Sequence, residues 1–238
     1  MHKQSITFIR HHRNTTELMD NAVAHLSSRG FEIIHRYPAE GDLLSISDET
    51  VSPTIVLGGS QNVTDIKRHP YLEDELRWIQ ACLESDIPIL GICLGGQLLA
   101  HTLGAQISAR EPAECEFGFY EVTPTTAGLD WLQSPHHVVQ AHFQEFSLPD
   151  GAELLATGEQ FKQQAFRYGD SAYGVQFHPE VNIDILENWL HDDWAEEMLD
   201  THGAQSVDEQ LRLAKKYLTP QRDWFTQALD TLFLPTAR

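Results

Sequence analysis

Cysteine is scarce in this chain, long apolar runs are missing, and basic residues are outnumbered two to one. The three cysteines among 238 residues, Cys82, Cys93 and Cys115, are too few and too odd in number for a disulfide framework and point to a reducing cytoplasm. No segment approaches the roughly 18 to 20 apolar residues that span a bilayer. The opening residues, Met1-His2-Lys3-Gln4-Ser5-Ile6-Thr7-Phe8, run straight into a strand pattern rather than a signal peptide. A cytoplasmic protein that does not enter membranes is therefore expected. With 16 Lys and Arg against 35 Asp and Glu, the formal net charge is −19. No basic face is available for phosphates, so nucleic acid is not an expected partner. The acidic surplus serves solubility first, and a docking surface for a basic partner second. Neither G-x-x-x-x-G-K-[ST] nor G-x-G-x-x-G occurs, so no nucleotide-activating loop and no dinucleotide cofactor is expected. His11-His12 and His136-His137 lack metal-ligand spacing, because adjacent residues diverge in a strand. They read as solvated loop or strand-edge histidines, and no metal is expected.

What is present is an alternation of strand and helix patterns. Ser5 to Ile9 reads as a strand and Thr15 to Leu26 as a helix closed by Gly30. Phe31 to Ile34 reads as a second strand, and Thr54 to Leu57 as an apolar strand closed by Gly58-Gly59. Tyr71 to Ser85 carries Leu72, Leu76, Ile79 and Leu83 on one helical face. Ile87 to Leu90 is a further apolar run, followed by a helix to about Leu103. Uniformly apolar strands alternating with helices predict an α/β fold: a mostly parallel sheet covered by helices on both faces, a flavodoxin-like three-layer sandwich. Shorter alternating runs between Phe119 and Phe177 predict added antiparallel strands. From Asn182 on, helices are expected: one through Ile185, Trp189 and Met198, a second through Leu211 to Leu218, and a last one opened by Thr219 as N-cap and Pro220 at N1. No repeat, linker or low-complexity segment divides the chain, so 1–238 is expected to be one domain with an extra C-terminal helical segment from about 182.

Two motifs carry chemistry. Gly91-Ile92-Cys93-Leu94-Gly95 lies between an apolar strand and a helix, as a nucleophile elbow does. The helix N-terminus favours the thiolate of Cys93, and the N–H of Leu94 is free to bind an oxyanion. Alone, such a turn also suits a merely buried cysteine. Gly174-Val175-Gln176-Phe177-His178-Pro179-Glu180 ends a strand in a histidine with a carboxylate two residues on. In extended chain those two side chains point the same way, so Glu180 can fix the tautomer of His178 and turn its other nitrogen toward a thiol. Alone, this motif also suits a surface histidine before a helix. Cys82 reads as packing and Cys115 as incidental.

Together, Gly91 to Gln97 and Phe177 to Glu180 resemble the class I glutamine amidotransferases, such as the glutaminase domain of GMP synthase and its free-standing relatives. The resemblance extends from about Ser52 to Val181. It implies a triad of Cys93, His178 and Glu180. It also implies an oxyanion loop at Leu57-Gly58-Gly59-Ser60, with Gly59 as donor beside Leu94. Gln97 corresponds to a substrate-contacting glutamine of the helix. Glu116-Phe117-Gly118-Phe119 is similar to the segment whose backbone holds the glutamine α-groups. The stretch around His142 is similar to one usually written W-H-G-D. Ala141, Phe143 and Gln144 depart from that last pattern, and Gly96 stands where a histidine is often found. The implied substrate is glutamine or a γ-glutamyl compound, with Gly58, Gln97, Phe117, Gly118 and His142 as contacts and no cofactor. An ammonia-accepting synthetase is the implied partner. The alternatives are hydrolysis of another γ-glutamyl amide, for which the departures around His142 speak, and a non-catalytic regulatory subunit, against which the intact triad speaks.

Overall fold

In the computed structural model, which describes residues 4–13, 19–46, 51–110 and 114–234, the apolar runs become strands close to where their patterning placed them. In chain order the strands are β1 (Ser5–Ile9), β2 (Glu32–Arg36), β3 (Thr54–Val56), β4 (Ile89–Ile92), β5 (Ile107–Ala109), β6 (Glu116–Pro124), β7 (His136–His142), β8 (Gln144–Phe146), β9 (Glu153–Gly158), β10 (Ala165–Tyr168) and β11 (Ala172–Val175). The α-helices are α1 (Asn21–Ser28), α2 (Tyr71–Glu84), α3 (Leu94–Thr102), α4 (Ile183–Leu190), α5 (Asp193–Leu199) and α6 (Val207–Phe233).

Nine of these strands form one sheet in the order β2-β1-β3-β4-β11-β10-β9-β6-β7, and β5 pairs with β8 apart from it. The first five are parallel to their neighbours. From β11 to β7 every pairing is antiparallel. Alternation along β1 sets the layers. Ile6 and Phe8 pack with Leu26 of α1 and Trp224, Phe225 and Leu229 of α6. Ile9, on the other face, packs with Trp78 and Ile79 of α2 and Leu98 of α3. A third cluster joins Phe117, Phe119 and Val139 to α4, α5 and the first half of α6. The fold is thus a mostly parallel sheet flanked by helices, extended by antiparallel strands and C-terminal helices. No described helix is long and apolar enough to cross a membrane.

Three boundaries differ from the sequence reading. Helix α1 starts at Asn21, where Asp20 caps it by accepting from Val23 N at 2.8 Å; Thr15 to Leu18, where the pattern began, lie outside the described residues. The stretch through Met198 is two helices, because Asn182 caps α4 and the chain breaks at His191 and Asp192 before α5. Pro220 does not open a helix but lies inside α6, which runs for 27 residues. An interior proline costs up to about 3 kcal/mol of helix stability. Burial of Leu213 and Ala214 before it, and of Gln221, Trp224 and Phe225 after it, offsets that cost by tying both halves to the same body.

Candidate active site

Strand β4 delivers its last residue directly into α3, with Cys93 at the N-cap. Its backbone sits at φ 51 and ψ −109, a left-handed conformation that costs a residue with a side chain on the order of 1 to 3 kcal/mol. Both neighbours hold it there: Cys93 N donates to Val175 O at 2.8 Å, and Cys93 O accepts from Gln97 N at 2.9 Å. The turn is tight enough to require the flanking glycines. A Cβ on Gly95 would lie 2.1 Å from Val56 O, and one on Gly96 would lie 2.6 Å from Val175 O. The glycine at position 96 is therefore the residue that lets α3 rest against β11.

Strand β11 pairs with β4, so the chain leaving it passes beside Cys93. His178 and Glu180 are both buried, and Nδ1 of His178 meets Oε1 of Glu180 at 2.8 Å. Burial by itself lowers an imidazole, but the charges of Glu180 and of Cys93, which also hydrogen-bonds to the ring, outweigh it and raise His178 to about 10. The ring is boxed by an edge contact with Trp189, centroids 4.9 Å apart.

Two residues that the sequence reading did not select hold this segment. Gln221 of α6 donates to His178 O at 3.2 Å and to Pro179 O at 3.3 Å, and accepts from Val139 N at 2.7 Å. Asn21 of α1 donates from its side chain to Pro179 O at 3.2 Å and Val181 O at 3.1 Å, and from its backbone to Glu180 O at 2.9 Å. Their one visible signal was a polar residue at a core position of a helical stripe.

A cavity of about 470 Å³ opens over Cys93. Of the residues selected from sequence, Cys93, His178, Glu180, Gly58, Gly59, Leu94, Gln97 and His142 line it, as do Ala141, Phe143 and Gln144. Leu94 is the first residue of α3, where backbone N–H groups have no helical acceptor. Gln97 donates to Gln176 Oε1 at 3.3 Å, and Gln176 in turn reaches Cys93 Sγ at 3.7 Å. His142 is buried, with Nε2 on Glu116 Oε2 and Nδ1 on Gln144 O, both at 3.0 Å.

Phe117 and Gly118 do not line the cavity. Their stretch of β6 is occupied by the chain's own Gln205, whose backbone N donates to Phe117 O at 2.9 Å and whose side chain bonds Phe119 N at 2.9 Å and Phe119 O at 2.7 Å. A Cβ on Gly118 would lie 2.4 Å from Gln205 Oε1. His11 also departs from expectation. It is buried rather than solvated, with Nε2 3.0 Å from Glu75 Oε2 and Nδ1 2.9 Å from Gly58 O. Glu75 arrives from α2, 64 residues away, so no local pattern could have announced the pair. Among the described residues no group of three metal-ligating side chains occurs.

The model of the family described as glutamine amidotransferase class-I matches residues 14–193. The chain belongs to this family. A glutamine amidotransferase-like protein of Salmonella typhimurium, YfeJ, is 29% identical over 84% of this chain and 87% of its own. The GMP synthase of Porphyromonas gingivalis is 38% identical over 53% of this chain, which corresponds to 24% of that longer protein. Among solved structures, a glutamine amidotransferase from Thermotoga maritima superposes with a TM-score of 0.85 at 26% identity, covering 98% of this chain and 99% of its own. The family match ends at residue 193, so α6 and Gln221 lie beyond it, while the Thermotoga structure spans that region as well.

Proposed function

We propose that this amidotransferase hydrolyses the side-chain amide of glutamine through a thioester on Cys93 and releases ammonia to an acceptor or partner synthetase. The observation that carries this reading is the meeting of three groups. Cys93 is held in a strained helix N-cap, His178 hydrogen-bonds to it, and Glu180 holds the far side of that imidazole at 2.8 Å. The Cys93 thiolate attacks the amide carbon, and the carbonyl oxygen becomes an oxyanion that accepts from the N–H groups of Gly59 and Leu94. One such donor is typically worth about 3 kcal/mol of barrier. The imidazolium of His178 gives its proton to the nitrogen, which leaves as ammonia, and the thioester remains. Neutral His178 then takes a proton from water, hydroxide adds to the thioester, and glutamate departs as the thiolate and imidazolium are restored. No cofactor enters this cycle.

The chain is read as one cytoplasmic amidotransferase domain whose helices from 182 on complete the site. A synthetase partner suits it because the relatives include a separate glutamine-hydrolysing GMP synthase subunit from Thermococcus kodakarensis, 38% identical over 44% of this chain and 60% of its own. A second reading, hydrolysis of a larger γ-glutamyl amide, is favoured by the cavity wall. Phe143, Ile185, Trp189, Trp194 and Met198 add an apolar face to a volume of about 470 Å³, within the range that holds drug-sized ligands.

Glutamate release from glutamine and from a panel of γ-glutamyl amines, with ammonia or the free amine as the second product, tests both. Release by the wild type that disappears in Cys93→Ser is expected, and the preferred amide decides between the readings. Turnover that persists in Cys93→Ser overturns the mechanism.

A further inference from the structure

We propose that the buried Glu75–His11 pair is a positioning device that fixes the Gly58–Gly59 peptide so that the N–H of Gly59 faces the reaction centre. This rests on the reading of Gly59 as an oxyanion donor and adds the residues that aim it. The carbonyl of Gly58 and the N–H of Gly59 belong to one peptide unit. That unit is planar and trans, so its oxygen and its N–H point to opposite sides. Holding the oxygen therefore determines where the N–H is aimed.

The oxygen is held by His11. Its Nδ1 lies 2.9 Å from Gly58 O, and its Nε2 lies 3.0 Å from Glu75 Oε2. Two acceptors on one ring require both nitrogens to carry protons. Burial opposes that charge, but Glu75 outweighs it and keeps His11 above the ordinary imidazole range. Both side chains of the pair are fully buried, so the latch is not loosened by solvent.

The other side of the peptide is the reaction centre. A Cβ on Gly58 would lie 2.7 Å from His178 Cε1 and 3.5 Å from Cys93 Cβ, whereas one on Gly59 would lie 2.8 Å from His11 Cγ. The peptide is thus sandwiched between the His11 ring and the Cys93–His178 pair, with its oxygen turned to the first. Among the described residues the N–H of Gly59 meets no backbone acceptor, which leaves it for a substrate oxygen.

Neither His11 nor Glu75 lines the cavity, so both act through Gly58 and not on the substrate. The test compares His11→Leu, which removes the donor, with His11→Asn, whose amide nitrogen falls near the place of Nδ1. For each, kcat and KM are measured for ammonia release from glutamine, alongside the rate of Cys93 alkylation by iodoacetamide, which needs the thiol but no oxyanion hole. His11→Leu is expected to lower kcat about 100-fold, with KM and alkylation within about threefold of wild type. His11→Asn is expected to recover to within about tenfold of wild type. Should the leucine variant fail to fold, His11→Gln takes its place, because its amide reaches toward Glu75 and not toward Gly58.

A wild-type kcat in His11→Leu overturns the inference, as does alkylation that falls in step with kcat, or a kcat in His11→Asn no better than in His11→Leu. Each of these leaves the amidase reading standing as long as wild-type turnover depends on Cys93. Absence of Cys93-dependent turnover in the wild type overturns that reading, and the inference with it.

Discussion

His178 and His142 line the same cavity, both are buried, and each meets a glutamate, at 2.8 Å and 3.0 Å. What separates them is the second ring nitrogen. Both nitrogens of His142 are taken by protein acceptors, Glu116 and the carbonyl of Gln144. Only Nδ1 of His178 is taken, which leaves Nε2 for Cys93. The surroundings differ in the same sense. Glu116 also accepts from Gln164, and Gln164 accepts from Gln140, so His142 belongs to a closed network across the antiparallel half of the sheet. His178 sits at the open end of the parallel half. A buried imidazole–carboxylate pair is thus a brace when both nitrogens are spent, and can serve as an acid and base when one is kept back.

That contrast breaks most clearly under paired alanine substitution. His178→Ala should lower kcat/KM for amide hydrolysis by about 10³- to 10⁴-fold, whereas His142→Ala should stay within about tenfold of wild type in kcat. Stability should not separate them, because each variant leaves a buried carboxylate, Glu180 or Glu116, without its imidazole and should cost about 3 to 5 kcal/mol in urea unfolding. Equal kinetic losses in the two variants would erase the distinction.

Glu180→Gln sharpens it through pH. The proton that His178 gives to the leaving nitrogen is available below its folded pKa and is lost as pH rises through about 10. Glu180 is the main group that raises His178 against burial. Its charge removed, the alkaline limb of kcat should move to lower pH, with kcat down about 100-fold at neutral pH. By the same sign, the stability contributed by the His178 charge is present below 6.5 and disappears by about 10. An alkaline limb that stays in place would remove Glu180 from the account.

The smallest expected effect is at Gln221, which grips His178 O and Pro179 O from α6. Gln221→Leu should cost about 1 to 3 kcal/mol of stability and lower kcat severalfold while leaving KM nearly unchanged. A change in KM alone would place Gln221 with substrate binding instead.

The same contrasts show which parts of the site could be read before the fold was known. Glu180 follows His178 by two residues, near enough to be read as a pair, although the strand expected to carry them ends at Val175 and a turn brings them together. The glycines around Cys93 announced a turn in which a backbone lies within 2.1 Å of where a Cβ would be. The parallel strands were legible because burial on both faces leaves uniformly apolar runs. His142 and Glu116 pair across β6 and β7, 26 residues apart, and His11 meets Glu75 over 64. Such partners are chosen by topology, and a buried histidine has the same local sequence as a solvated one. Phe117 and Gly118 were drawn toward the substrate by resemblance, but Gln205 of the C-terminal segment fills that edge of β6. Pro220 misled for a related reason: the local penalty is real, but packing on both sides of it decides.

The central claim is that Cys93 becomes acylated. Rapid quenching of the enzyme during turnover with glutamine, followed by peptide mass spectrometry, tests it most directly. The account predicts a γ-glutamyl group on the peptide containing Cys93, at higher occupancy when deacylation is slowed, and none on Cys82 or Cys115. Ammonia release by the wild type with no adduct on Cys93, or turnover that persists in Cys93→Ala, would contradict it.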